Sequence, residues 1–190
     1  MGAEQLLGLL SMFIAQIIGI FAMLFSVVSF QQKTQRRIVF MQLIASSLWS
    51  IHFYLLGALT GCFLNMIAAM RDVVFCKRDQ KWASGSIWIY IVVFLSIGIY
   101  VLNFTVFALD FTVGNAVLEL LPVLGMAAST VAMRMKEAGK VRRFSLMSSP
   151  LWLVYDSVNL SVGGIMTEAF SLVSIVVGMI RFDVSKRKSR

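Results

Sequence analysis

Only 14% of the residues in this 190-residue chain are charged, so any ionisable group inside an apolar stretch is conspicuous. Four stand out: His52, Asp156, Glu168 and Glu119. His52 follows Trp49 by three residues and Asp156 follows Trp152 by four. On helices these spacings put each polar group on the face of its tryptophan. If the two tryptophan faces meet, His52 and Asp156 line one cavity. There they could form a structural hydrogen-bonded pair, contact a bound solute or relay a proton. Asn65 and Glu168 each follow their tryptophan by sixteen residues. An amide and a carboxylate at matched positions can hydrogen-bond a polar solute, and the carboxylate can also hold a cation; the alternative is polar contact between helices. Glu119 suits a helix N-terminus, and Arg71 can snorkel from the end of its helix.

Enzymatic chemistry finds little support. The chain has one histidine, no Ser-His-Asp spacing, no metal-ligand cluster and no glycine-rich loop that could cradle phosphate. Cys62 and Cys76 lie at opposite ends of one expected helix, about 20 Å apart, too far to pair. No catalytic residue, metal site or cofactor is expected.

The elements that must position these residues are membrane spans. Hydrophobic residues make up 59% of the chain and the mean hydropathy is +0.85, more apolar surface than a soluble domain of this size can bury. The net charge of +8 does not point to nucleic acid, because the basic residues fall in short runs between apolar spans and form no continuous face. Stretches of about 20 apolar residues place helices at 6–30, 38–57, 60–76, 87–107, 113–133, 144–160 and 163–180, with the first span retained rather than cleaved. A tight turn near Gly57 joins the second and third spans, and Trp82 and Trp88 read as interface anchors before the fourth. All seventeen Lys and Arg lie in the first-to-second, third-to-fourth and fifth-to-sixth connections and the tail, apart from Arg71 just inside the third span. With seven spans these segments share one side, which puts the N-terminus outside and the C-terminus in the cytoplasm.

The chain also repeats. A shift of 103 residues, without a gap, carries Met23, Ser26, Lys33, Ser46, Trp49, Gly61 and Arg78 onto Met126, Ser129, Lys136, Ser149, Trp152, Gly164 and Arg181. Three-helix copies with basic loops on the same side need one extra crossing between them, and Ile87–Phe107 supplies it. The expected fold is an all-α membrane protein with seven transmembrane helices in a 3+1+3 arrangement. Its units are a first triple-helix repeat (1–81), a linker helix (82–110) and a second, parallel repeat with a basic tail (111–190).

Two resemblances follow from these residues. The Trp-x-x-His-Phe-x-Leu-Leu-Gly stretch from Trp49, Leu64-Asn65 followed by Arg71, Glu119-Leu120-Leu121-Pro122, and Gly163-Gly164 followed by Glu168 and Arg181-Phe182 resemble the YgjV-type family of bacterial inner-membrane proteins over most of the chain. More distantly, the 3+1+3 plan and the Trp49/Asn65 spacing are similar to the SWEET and SemiSWEET sugar transporters of the PQ-loop group. In that group a tryptophan on the second helix and an asparagine on the third face a sugar cavity. Ser29-Phe30-Gln31-Gln32-Lys33 looks like the Ser-Phe-x-Pro-Gln region of that group but lacks its proline hinge, as does Arg134-Met135-Lys136 in the second copy. Pro122, opposite Gly19 in the other copy, is the candidate flexing point in its place.

These resemblances imply a SWEET-like inner-membrane transporter that moves a small polar solute, a sugar being one candidate, by alternating access around Trp49, His52, Asn65, Trp152, Asp156 and Glu168. The two tryptophans would stack on the solute. The alternative is a non-transporting scaffold or adaptor with a structural polar core. Either form has membrane lipid as a partner, needs no nucleic acid and is compatible with a monomer.

Overall fold

The structure, a computed structural model, describes residues 3–56, 59–106, 110–158 and 162–184. Seven long helices are present among these residues: α1 (Ala3–Ser29), α2 (Gln35–Leu55), α3 (Leu59–Cys76), α5 (Ile87–Thr105), α6 (Val113–Arg134), α7 (Ala138–Val158) and α8 (Val162–Gly178). The single turn α4 (Lys81–Ser84) precedes α5, and a π-helical turn, Met179–Val184, follows α8. Thr34 and Thr112 start α2 and α6 from extended backbone, their side-chain oxygens accepting the Arg37 and Asn115 N–H groups. Each satisfies a donor that the first helical turn leaves unpaired.

Five helices among the described residues are long and apolar enough to cross a membrane: Leu10–Ser29, Gln35–Leu55, Ile87–Thr105, Val113–Arg134 and Gly163–Asp183. The other two long helices are α3, which carries Arg71 and Asp72, and α7, which carries Lys140, Arg142, Arg143 and Asp156. The bundle turns large apolar side chains outward, Phe13 at 67% exposure, Phe94 at 75% and Val173 at 62% among them, a surface suited to lipid. Its interior is rich in small polar residues, including Ser26, Ser29, Ser46, Ser145, Ser148, Ser149 and Thr130. Several of these hydroxyls return to a carbonyl of their own helix, as Ser26 does to Ala22 and Thr130 to Met126.

The 103-residue shift reappears in the coordinates. Applied to the ends of α2 it gives the ends of α7, and applied to the start of α3 it gives the start of α8. In each half the second helix packs against the first and the third: α2 against α1 and α3, and α7 against α6 and α8. The halves meet along α1·α8 and α3·α6, the same pairing with the halves exchanged, and α2 touches α7. Contacts at the two seams correspond too. Ser174 on α8 donates to the Val27 carbonyl at 2.6 Å, and Arg71, at the matching position on α3, donates to Thr130, the counterpart of Val27, at 3.5 Å. Helix α5 has no counterpart and lies against α3 and α6.

The sequence reading of a basic loop from Arg134 to Arg143 is corrected. Helix α7 begins at Ala138, so most of that run is helical. Arg142 explains why: it is 1% exposed and is pinned by Asp183 and by the carbonyls of Phe30 and Gln32. The expected turn at Gly57, the end of the fourth span at Phe107, residues 159–160 and the tail 185–190 lie outside the described residues.

Candidate functional site

In the first half, His52 turns toward α1. Its Nδ1–H donates to the Ala15 carbonyl at 2.7 Å, and the carbonyl acceptor fixes the proton on that nitrogen. The ring sits on Gly19, where a Cβ would come within 2.8 Å of Nδ1. Trp49 packs edge-on to His52 at 5.1 Å between ring centres and stacks on Phe53 at 5.6 Å. Phe53 in turn covers Gly61 of α3. Asn65 donates from Nδ2 to the Gly61 carbonyl of its own helix at 2.9 Å.

The second half repeats this arrangement with different chemistry. Tyr155, the counterpart of His52, also reaches its first helix, donating to Glu119 Oε1 at 3.4 Å. Trp152 lies against Gly125, whose Cβ would meet the indole Nε1 at 2.6 Å, and borders the cluster of Leu64, Ala68, Val92 and Met126 from α3, α5 and α6. Asp156 covers Gly164 as Phe53 covers Gly61. Glu168 accepts a hydrogen bond from Ser149 and is close enough to Asp156 to feel its charge.

Asp156, Glu168 and Ser149 therefore come together between α7 and α8. Trp49, His52 and Gly19 come together between α2 and α1. His52 and Asp156 each serve an interface within their own half, His52 against α1 and Asp156 against α8. Asn65 lies six residues after the start of α3 and Trp49 six before the end of α2, so both sit about 9 Å from the helix ends away from the basic loops. Pro122 is buried within an unbroken α6, and Gly19 lies within an unbroken α1.

Two roles read from the sequence are corrected. Glu119 does not cap α6, since Thr112 does; Glu119 joins three helices instead, accepting from Asn103 of α5 at 2.9 Å as well as from Tyr155 of α7. Arg71 does not snorkel. It is 4% exposed and donates to Asp72 at 2.9 Å and to Ser129 across the seam at 2.8 Å. Asp72, fully buried, was missed as a fifth ionisable group, although its position beside Arg71 in an apolar run was a readable signal. Gln31, Gln35 and Arg142, which all cross between halves, gave no such signal.

The basic segments gather at one end. Arg78 donates to the Arg134 carbonyl at 2.6 Å, Arg134 to the Ser84 carbonyl at 3.0 Å, Gln35 to the Met133 carbonyl at 2.9 Å and Arg142 to the Gln32 carbonyl at 2.9 Å. Partial burial pulls the Arg78 guanidinium below its usual value, which Asp79 opposes. A cleft of about 640 Å³ opens here, and an apolar one of about 400 Å³ lies between the other ends of α6 and α7. Neither is lined by Trp49, Asn65, Trp152 or Glu168.

A bundle with lipid-suited sides, polar seams and charges at its ends is an all-α integral membrane protein. Residues 13–186 match the Imp-YgjV family, described as bacterial inner membrane protein, and the chain belongs to that family. It is 26% identical over 169 residues to the inner membrane protein YgjV of Escherichia coli (strain K12), an alignment covering 89% of this chain and 84% of that protein. No solved structure matches the chain.

Proposed function

We propose that this multi-pass inner-membrane protein is a transporter of SWEET-like plan that moves a small polar solute by rocking one three-helix half against the other. All seven long helices cross the membrane in this reading, α5 links two parallel repeats, and the basic end with the C-terminus faces the cytoplasm. The observation that carries it is the exchange of the seams: α1·α8 and α3·α6 are the same contact made twice, with Trp49/Trp152 and Asn65/Glu168 at equivalent positions on either side. Two halves so related can tilt about a common axis, and polar groups near it can hand a solute across. The solute, a sugar being one candidate, hydrogen-bonds to Asn65 and Glu168 and stacks on the indoles. His52 acts by seating Trp49 rather than by touching solute. The reading assigns the protein no chemical step.

The test is thermal unfolding of the purified protein against panels of sugars, amino acids and cations, with Asn65→Ala and Glu168→Gln beside the parent. A solute that raises the parent's Tm and neither variant's supports the site. Stabilisation by nothing, or stabilisation that survives both substitutions, would falsify it. A scaffold or adaptor is the second reading. It is favoured by the internal pairing of the same groups: His52 to Ala15, Asn65 to Gly61 and Glu168 to Ser149.

A further inference from the structure

Beyond the transport reading, and independent of it, we propose that the cleft at the basic end binds a phosphate-bearing anion carrying two or more charges. Three separate stretches form its walls: the start of α2, the start of α7 and the π-helical turn after α8. They bring six cationic side chains, Lys33, Lys136, Lys140, Arg142, Arg143 and Arg181, against two carboxylates, Glu137 and Asp183. Lys140 pairs with Glu137 at 2.8 Å, and Arg142 holds Asp183 through Nε at 3.0 Å and Nη2 at 2.6 Å. Among the described residues no ion pair engages Lys33, Lys136, Arg143 or Arg181, so the cleft keeps an excess of four positive charges.

The backbone adds to this field. Helices α2 and α7, each 21 residues long, both begin in the cleft wall, and their dipoles turn positive ends toward it. The chain's own anion marks the preference: the Asp183 carboxylate sits over Gly139 in the first turn of α7, where a Cβ would come within 3.0 Å of it. That carboxylate lines a cleft that leaves about 640 Å³ open beside it. Orienting the protein in the membrane requires basic residues on one side, but it does not require three segments to converge on one cleft. The shared ligand chemistry is a phosphate group, either in the head of an anionic lipid or in a soluble polyphosphate, met by Arg forks and Lys point charges.

The experiment uses the full chain in nanodiscs of phosphatidylcholine alone. One arm titrates inorganic pyrophosphate, read as a Tm shift. The other replaces part of the lipid with cardiolipin, whose head carries two phosphates, and measures lipid retained by native mass spectrometry. Binding in the first arm identifies a soluble source, and selective retention in the second identifies a lipid head. Lys33→Gln/Lys136→Gln/Arg143→Gln should weaken whichever binding is seen by about tenfold to a hundredfold. Arg37→Gln/Lys77→Gln/Lys81→Gln, an equal charge change outside the cleft, should leave it within a few-fold of the parent. Lys33→Arg/Lys136→Arg/Arg143→Lys should retain binding, which separates lost charge from lost fold. Binding in neither arm, or equal weakening by both neutral triples, overturns the proposal.

Discussion

Gly19 and Gly98 show how differently one residue type can act within a membrane helix. A Cβ on Gly19 would drive into the His52 ring, whereas one on Gly98 would meet nothing within 4 Å. Gly19→Ala should therefore destabilise the protein by about 1–3 kcal/mol through overpacking, and Gly98→Ala should change stability by about 1 kcal/mol or less. Paired thermal melts in one detergent check this, and equal Tm values for the two variants would count against the His52 placement. The buried pair Arg71–Asp72 makes a sharper case. Removing Asp72 alone leaves a guanidinium that is 4% exposed with its counter-charge gone, at a cost of about 3–5 kcal/mol. Asp72→Ala should thus be less stable than the double variant Arg71→Met/Asp72→Leu, which removes both charges. If the double variant is the weaker, the pair is worth more than its desolvation cost. Most of the polar candidates were legible in the sequence because charge is rare there. Which partner each one takes was not, because helix periodicity gives a face and not the neighbour that covers it.

At the scale of elements, the C-terminal turn depends on a side chain far away in sequence. Asp183 ties Met179–Val184 to α7 through two hydrogen bonds to Arg142. Bonds of this charge-assisted kind are worth about 1.5–3 kcal/mol. Asp183→Asn should raise hydrogen exchange in 179–184 by about tenfold to a hundredfold while leaving α2 and α6 protected; unchanged exchange in the turn would mean that other contacts hold it. The same bonds explain the misread start of α7. Run-of-sequence polarity at Gly139–Arg143 predicts a loop, yet Arg142 is buried because Phe30, Gln32 and Asp183 supply acceptors that only the assembled fold brings near. Helix α2, by contrast, starts where Thr34 can cap it.

Across the whole molecule, the gathering of basic residues at one end predicts the orientation. Fusion of a fluorescent protein to the C-terminus should give a fluorescent product in bacterial cells, and fusion of alkaline phosphatase there should be inactive, since positive segments stay in the cytoplasm. The reverse pattern would put the basic end, and the cleft proposed to bind phosphate, outside the cytoplasm. Composition alone determined that this chain lives in a bilayer, because so little polar surface cannot cover a soluble fold. The 103-residue shift alone pointed to two like halves, because residues matched without a gap predict matched helices, and the ends of α2 and α7 coincide under it. Tertiary structure decided the rest: that His52 packs against α1 and Asp156 against α8, that Arg71 is buried against the opposite half, and that separate basic runs close around one cleft. A sequence fixes which groups share a helix face. Which faces meet depends on packing and charge balance summed over all the helices, and that sum exists only once they are assembled.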